Sequence, residues 1–377
     1  WAFASVIGPL AGGFIVDTTT WRWVFLINLP VGLVALAIIS SVLRLTTVRR
    51  KARLDIIGAV LLVAGVGLLL LSLVWGGTTY AWQSPVIIGL VASGAFVTAI
   101  FLWWETRVPE PLLPLRLFRN GIYSVASVLG FFIGFALFGG VVFLPLFLQV
   151  VNGVSATDSG LLVLPLTAGI VVGSVGAGRL TTSTGRYRIY PIIGSAFAVV
   201  GMYFLSGMTA ETARLLSSCY MVVLGLGVGM VLQVTLLAVQ NAVTHSDLGV
   251  ATSSAQFFRT LGGSFGVAIF GAIMNARLLE ELPLRIPADV VESLSGRVTE
   301  LLSTPTAIRA LPRDVASGVT SSVEVALQDV FFWAVPIMVL SFALSWRLKE
   351  IPLRETVGDI PAIEGVEEAT VANKTRI

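Results

Sequence analysis

One cysteine, one histidine and three lysines are all that the 377 residues supply of three chemically versatile side chains. Cys219 cannot form an internal disulfide, and in its apolar run it is expected to be a small buried hydrophobe. His245 stands alone, so a zinc site of the usual His/Cys kind cannot be assembled. Charged residues make up 12% of the chain, against roughly 25% in an ordinary soluble domain. The apolar segments carry neither paired carboxylates nor a Cys/His set, which argues against an enzyme. The pattern Gly-x-x-x-x-Gly-Lys-Ser/Thr is missing, so no nucleotide drives the protein and no cofactor is expected. The formal net charge is only +3, and the basic residues sit in short loops rather than along one stripe, which argues against a nucleic-acid partner. The period-2 alternation that a membrane barrel requires is missing too.

Long apolar runs are abundant instead. Hydrophobic residues fill 56% of the sequence, and the mean hydropathy is +0.92. Ten such segments follow one another, at about 1–16, 22–43, 56–76, 85–104, 122–148, 159–179, 189–208, 214–237, 248–275 and 330–347. Segments this long span lipid as helices, because a helix satisfies its own backbone. The expected class is an all-α integral membrane protein with about ten transmembrane helices.

Cations set the orientation. Arg44, Arg49, Arg50, Lys51 and Arg53 fall on the same side as Arg107, Arg116, Arg119, Arg179, Arg186, Arg188, Arg347, Lys349, Lys374 and Arg376. That side, with the C-terminal tail, is expected to be cytoplasmic. Trp75, Tyr80 and Trp82 suit an aromatic belt at the opposite surface. The stretch 276–329 reads as a long outer loop of mixed charge, in which Pro287, Asp289 and the apolar spacing after them suggest a helix. Residues 348–377 read as a disordered tail. Gly130/Gly134, Gly169/Gly173, Gly225/Gly229 and Gly262/Gly266 put flat strips on helix faces. Pro145, Pro165 and Pro336 are expected to bend their helices.

The opening stretch organises the rest. Gly8, Pro9, Gly12 and Gly13 cluster on one apolar helix, where missing side chains let a neighbouring backbone approach. The polar turn Thr18-Thr19-Thr20 and a second apolar helix with Trp21-Arg22-Trp23, Asn28, Pro30 and Gly32 follow. This order resembles the fifth and sixth helices of drug/proton antiporters of the major facilitator superfamily, in the fourteen-span EmrB/QacA branch. Ala4 stands where that pattern usually has glycine.

The resemblance implies a map. Residues 1–43 would be the last two helices of an N-terminal bundle, the first of them truncated. Residues 44–121 would be an inserted two-helix linker, and 122–347 a C-terminal six-helix bundle that includes the stretch 276–329. Four helices and part of a fifth would lie upstream, and this piece alone would be inactive. The implied activity is proton-coupled efflux of lipophilic compounds across the plasma membrane by alternating access, with small molecules, protons and the lipid bilayer as partners. A specific metabolite exporter of the same fold stays open, and so does a scaffold that recruits an outer adaptor protein through 276–329.

Ionisable groups deep in lipid are costly and need a reason. Arg259 lies eleven residues past the inner end of its segment, about 16 Å along the axis, and Gln256 sits one turn before it. Gln256-x-x-Arg259-x-x-Gly262-Gly263-x-x-Gly266 resembles the family's second-to-last helix. Arg259 and Gln256 are therefore candidates for a cavity or coupling role, against structural hydrogen bonding within the bundle. Gln233 could bond substrate or another helix. Phe131, Phe135 and Phe138 form a stripe that suits lipophilic cations or simple helix packing. Asp55 reads as an interfacial capping carboxylate, and Glu105 as interfacial. Gly178, Arg179, Gly185 and Arg186 resemble the weaker second copy of the superfamily's cytoplasmic loop motif, with Thr182 where the stronger copy has aspartate.

Overall fold

The computed structural model describes residues 2–42, 54–287, 308 and 311–353. Among them no strand occurs, and the elements are helices: α1 (Ala2–Thr18), α2 (Arg22–Leu26), α3 (Asn28–Val42), α4 (Ile56–Trp75) and α5 (Pro85–Glu105). There follow α6 (Gly121–Val150), α7 (Ala156–Leu162), α8 (Leu164–Thr184), α9 (Ile189–Ser206), α10 (Arg214–Ala242), α11 (Leu248–Arg285) and α12 (Arg313–Ser345). Nine stretches among the described residues are long and apolar enough to cross a bilayer. The first apolar segment becomes α1, which is only 17 residues long.

Of the three prolines expected to bend helices, one coincides with a break. Pro145 and Pro336 lie inside α6 and α12. Pro165 differs from expectation: it sits in the first turn of α8, where a missing N–H costs nothing. The chain breaks at Val163, and one expected helix becomes α7 and α8.

Glycine strips build the C-terminal bundle. A Cβ on Gly169 would lie 2.7 Å from the Val222 carbonyl oxygen, and one on Gly225 would strike that of Leu166, so the α8 and α10 strips face each other. A Cβ on Gly134 would meet the Arg259 carbonyl and the Gly263 nitrogen, and one on Gly262 would meet Phe131, so α6 and α11 cross in the same way. Without a hydrophobic drive between helices in lipid, such backbone approach is the main source of packing energy. Leu129, Ile133, Leu144, Met202, Leu224, Val228 and Phe331 fill the core between α6, α9, α10 and α12.

The remaining helices attach from outside. α4 and α5 form a hairpin that packs through Gly65 on Thr98 and Gly94 on Leu69. Asn275 of α11 donates to the Gly77 carbonyl of the hairpin turn at 3.2 Å. α3 has no buried residue. α1 meets α7 at Gly13, whose missing Cβ leaves room for the backbone of Ala156 and Thr157.

Three expectations are corrected here. The stretch 276–329 is not a loop where it is described: α11 runs on to Arg285 and α12 starts at Arg313. At 38 residues, α11 reaches about 57 Å, well beyond a hydrocarbon core of about 30 Å. Arg277 pairs with Asp329 across α11 and α12 at 2.7 Å and with Glu280 and Glu281 on its own helix, while Glu281 also holds Arg285. The helix expected after Pro287 lies outside the described residues.

The second correction concerns the tail. Residues 348–353 are packed: Leu348 is 1% exposed, and Ile351 and Leu353 lie against the same cluster. The third is Cys219, which is exposed on α10. It shares a helix face with the exposed Leu215 and Leu216, a side that no helix covers among the described residues.

Candidate functional site

Arg259 and Gln256 line one cleft. Its other walls are Ala126 and Gly130 of α6, Leu232, Thr235 and Leu236 of α10, and Ala255 of α11. A Cβ on Gly130 would lie in ordinary van der Waals contact with the Arg259 Cβ, at 4.0 Å. Thr235 turns its hydroxyl to the Val231 carbonyl at 2.6 Å, so its proton is occupied within α10. Arg259 is half-buried. Hydrogen-bond and ion-pair partners of its guanidinium are absent among the described residues, and Gln256 is exposed beside it. An unpaired guanidinium presented this way can bind an anion or a carboxylate brought from elsewhere.

The other candidates are dispersed. Gln233 is exposed and lies against Gly178, 3.4 Å from where its Cβ would be. It therefore belongs to the α8–α10 crossing and does not line the Arg259 cleft. Phe138 lies on Gly263, and Phe135 packs on Gly266 and on the Phe270 ring at 5.9 Å. Phe131 stacks edge-on to Phe135 at 5.4 Å. The stripe thus fills the α6–α11 seam, where glycines leave room for rings. Of the three glycines in the opening cluster, Gly13 has a close neighbour, whereas Gly8 and Gly12 face open space among the described residues.

The loop motif serves structure differently from its sequence reading. Gly185 closes α8 in the left-handed conformation, φ +69°, which glycine adopts freely. Arg179 and Arg186 are exposed. The residue that the sequence reading passed over is Tyr187, which is fully buried. Its phenol donates to the Lys349 carbonyl at 2.9 Å and accepts from the Ile351 N–H at 3.1 Å. Its own N–H donates to Glu350 Oε1 at 2.9 Å. Burial pushes the Tyr187 phenol above its ordinary range, so the hydroxyl stays a donor at physiological pH. Arg188 reaches the Trp346 carbonyl at 2.8 Å, and Asn241 of α10 reaches that of Pro352 at 3.0 Å. A tyrosine inside a basic loop was the only sequence signal for this tether.

Two further ties were not foreseen. Arg116 forms a bidentate pair with Asp247 at 2.8 and 2.7 Å, joining the segments that enter α6 and α11. Asp17, at the end of α1, accepts from the N–H groups of Ala156 and Thr157 and from the Thr157 hydroxyl. Those N–H groups open α7, so the carboxylate occupies a site that helix geometry makes favourable for anions. Groups of three or more metal-binding side chains are absent among the described residues.

Comparison with known proteins identifies the setting of this cleft. A sequence model described as Major Facilitator Superfamily matches residues 1–267. An uncharacterized MFS-type transporter of Mycobacterium tuberculosis (strain ATCC 25618 / H37Rv) is 38% identical over 355 residues, covering 94% of this chain and 51% of that protein. The multidrug transporter protein MdtP of Bacillus subtilis (strain 168) is 33% identical over 374 residues, covering 94% of this chain and 69% of that one. The chain spans about half the length of the first of these relatives. Among solved structures, a bacterial homolog of the human lysosomal transporter Spinster, inward-facing and occupied, matches with a TM-score of 0.50 at 16% identity, over 94% of this chain and 83% of that one. This last likeness concerns the fold alone.

Proposed function

Since the chain belongs to the Major Facilitator Superfamily, a family of transporters rather than enzymes, we propose that it serves proton-coupled efflux of lipophilic compounds by alternating access. We assign it to the fourteen-span drug/proton antiporter branch, in the plasma membrane, with its Arg-rich loops and tail in the cytoplasm. The substrate path runs past the Arg259–Gln256 cleft. One observation carries this reading: a half-buried guanidinium about 16 Å into α11 lines a small cleft of about 20 Å³ without a counter-charge among the described residues. Such a cation is costly in lipid unless a cavity hydrates it or a ligand pairs with it. The named multidrug relative supports a broad substrate range.

A second reading, export of one anionic metabolite, is favoured by the same unpaired cation. A substrate panel separates the two. The test measures protonophore-sensitive dye efflux by this chain joined to the upstream helices that the family resemblance implies, reconstituted with an imposed pH gradient. Arg259→Ala is expected to lower efflux at least about tenfold, the equivalent of one charge-assisted hydrogen bond of about 1.4 kcal/mol or more. Arg259→Lys should retain part of it. Unchanged efflux by Arg259→Ala at normal expression removes the cleft from the transport path.

A further inference from the structure

The α4–α5 hairpin carries a pair of carboxyl groups that the sequence does not present as a pair. Asp55 precedes α4 and Glu105 ends α5, 50 positions apart. In the fold both reach Gly58: Glu105 Oε1 lies 3.0 Å from the position a Cβ on Gly58 would take, and Asp55 Oδ2 is closer still. Only a glycine leaves room for both.

Their surroundings differ. Asp55 accepts from the Gly58 N–H at 2.9 Å and from Trp104 Nε1 at 3.0 Å, and it caps the N-terminus of α4. These are the partners of an ionised carboxylate. Glu105 is 3% exposed. Its Oε2 accepts from the Leu113 N–H at 2.8 Å, but its Oε1 is buried, has no hydrogen-bond partner and lies by the same Gly58 position as the Asp55 carboxylate. A bare, buried carboxylate oxygen beside a second carboxylate is doubly unfavourable when ionised. A proton on Oε1 removes both penalties.

Among the described residues the neighbouring charges do not relieve it; Arg49, Arg50, Lys51 and Arg53, just before Asp55, lie outside them. α4 contains no ionisable residue, and Glu105 is the only one in α5. Arg107 is turned onto the Trp103 ring at 5.1 Å. Glu110 lines the adjoining cleft of about 560 Å³ with Asp55 and Trp104. On α11, which packs against α4, Arg259 lines the α6–α10 cleft and Arg277 is paired with Asp329. Asp247, just before α11, is held by Arg116.

We propose that Asp55 and Glu105 form a proton-binding site, with one proton held on Glu105 Oε1 and Asp55 ionised. The cleft beside Asp55 gives the proton a route to water. Glu105 also holds the backbone of Leu113, in the segment that leads into α6, so gain or loss of the proton acts on the connection between hairpin and bundle. This site is independent of the Arg259 cleft and of the transported compound.

Infrared pH-difference spectroscopy on the full chain in lipid nanodiscs tests it. The expected result is a protonated-carboxyl C=O band at neutral pH that shifts in heavy water and vanishes on alkalinisation. Glu105→Gln should abolish the band, and Glu110→Gln should leave it. Asp55→Asn, which keeps the cap, should lower the band's midpoint by about one pH unit because a like charge is removed. Thermal stability gives a second readout. A carboxyl that keeps its proton on folding stabilises the fold at low pH, and that contribution falls as pH rises toward the folded-state titration. Wild type should show this decline and Glu105→Gln should flatten it. A wild-type spectrum matched by Glu105→Gln overturns the proposal, as does a cation that replaces the proton without a band.

Discussion

Arg259 and Glu105 show how much a single side chain's meaning depends on its partners. Both are ionisable groups at apolar helices, and sequence position ranked Arg259 as the interesting one. The fold leaves Arg259 accessible in its cleft and buries Glu105 against another carboxylate. At the same scale, glycines at the α8–α10 crossing are spacers whose replacement forces backbones apart. Gly225→Leu should destabilise the bundle by about 1–3 kcal/mol, the usual range for overpacking, seen as a lower unfolding temperature in detergent. Leucine at Gly176, which faces open space, should leave that temperature unchanged.

At the scale of elements, one small residue and one carboxylate of α1 meet α7 among the described side chains. Gly13 admits the backbone of α7, and Asp17 fills its first N–H groups. Asp17→Ala removes these acceptors and leaves two helix-end donors to water. Faster amide exchange is expected at Ala156 and Thr157, with α9 and α12 unchanged, as measured by hydrogen–deuterium exchange mass spectrometry. Equal exchange in the variant would show that α1 does not hold this helix end. The α4–α5 hairpin behaves differently, because its helices pack on each other through Gly65 and Gly94 and touch the bundle chiefly through α11.

At the scale of the molecule, the segment after α12 straps the ends of α8, α9 and α10 together. Tyr187, Arg188 and Asn241 hold it by hydrogen bonds, and Leu348 is buried beneath it. Truncation after Arg347 should cost about 2 kcal/mol or more, the burial of one leucine plus lost hydrogen bonds, again read as unfolding temperature. Sidedness is tested by labelling with an impermeant thiol reagent. Cys219 is exposed, so Cys219→Ser supplies the background. Arg186→Cys there should resist labelling from outside intact cells and react after permeabilisation; Tyr187 is fully buried and unsuitable as a probe.

The apolar runs, the helical class and the glycine strips were legible in the sequence because each is a local property. A run of about 20 apolar residues must satisfy its own backbone in lipid, and glycines four apart fall on one face wherever the helix goes. Local pattern could not say which strips meet, that α11 and α12 continue past the apolar stretch, or that residues 348–353 pack. Nor could it bring Asp55 to Glu105 or separate Gln233 from Arg259. Those outcomes depend on which helices become neighbours, and a charge is cheap or costly only according to what the neighbouring helix sets beside it.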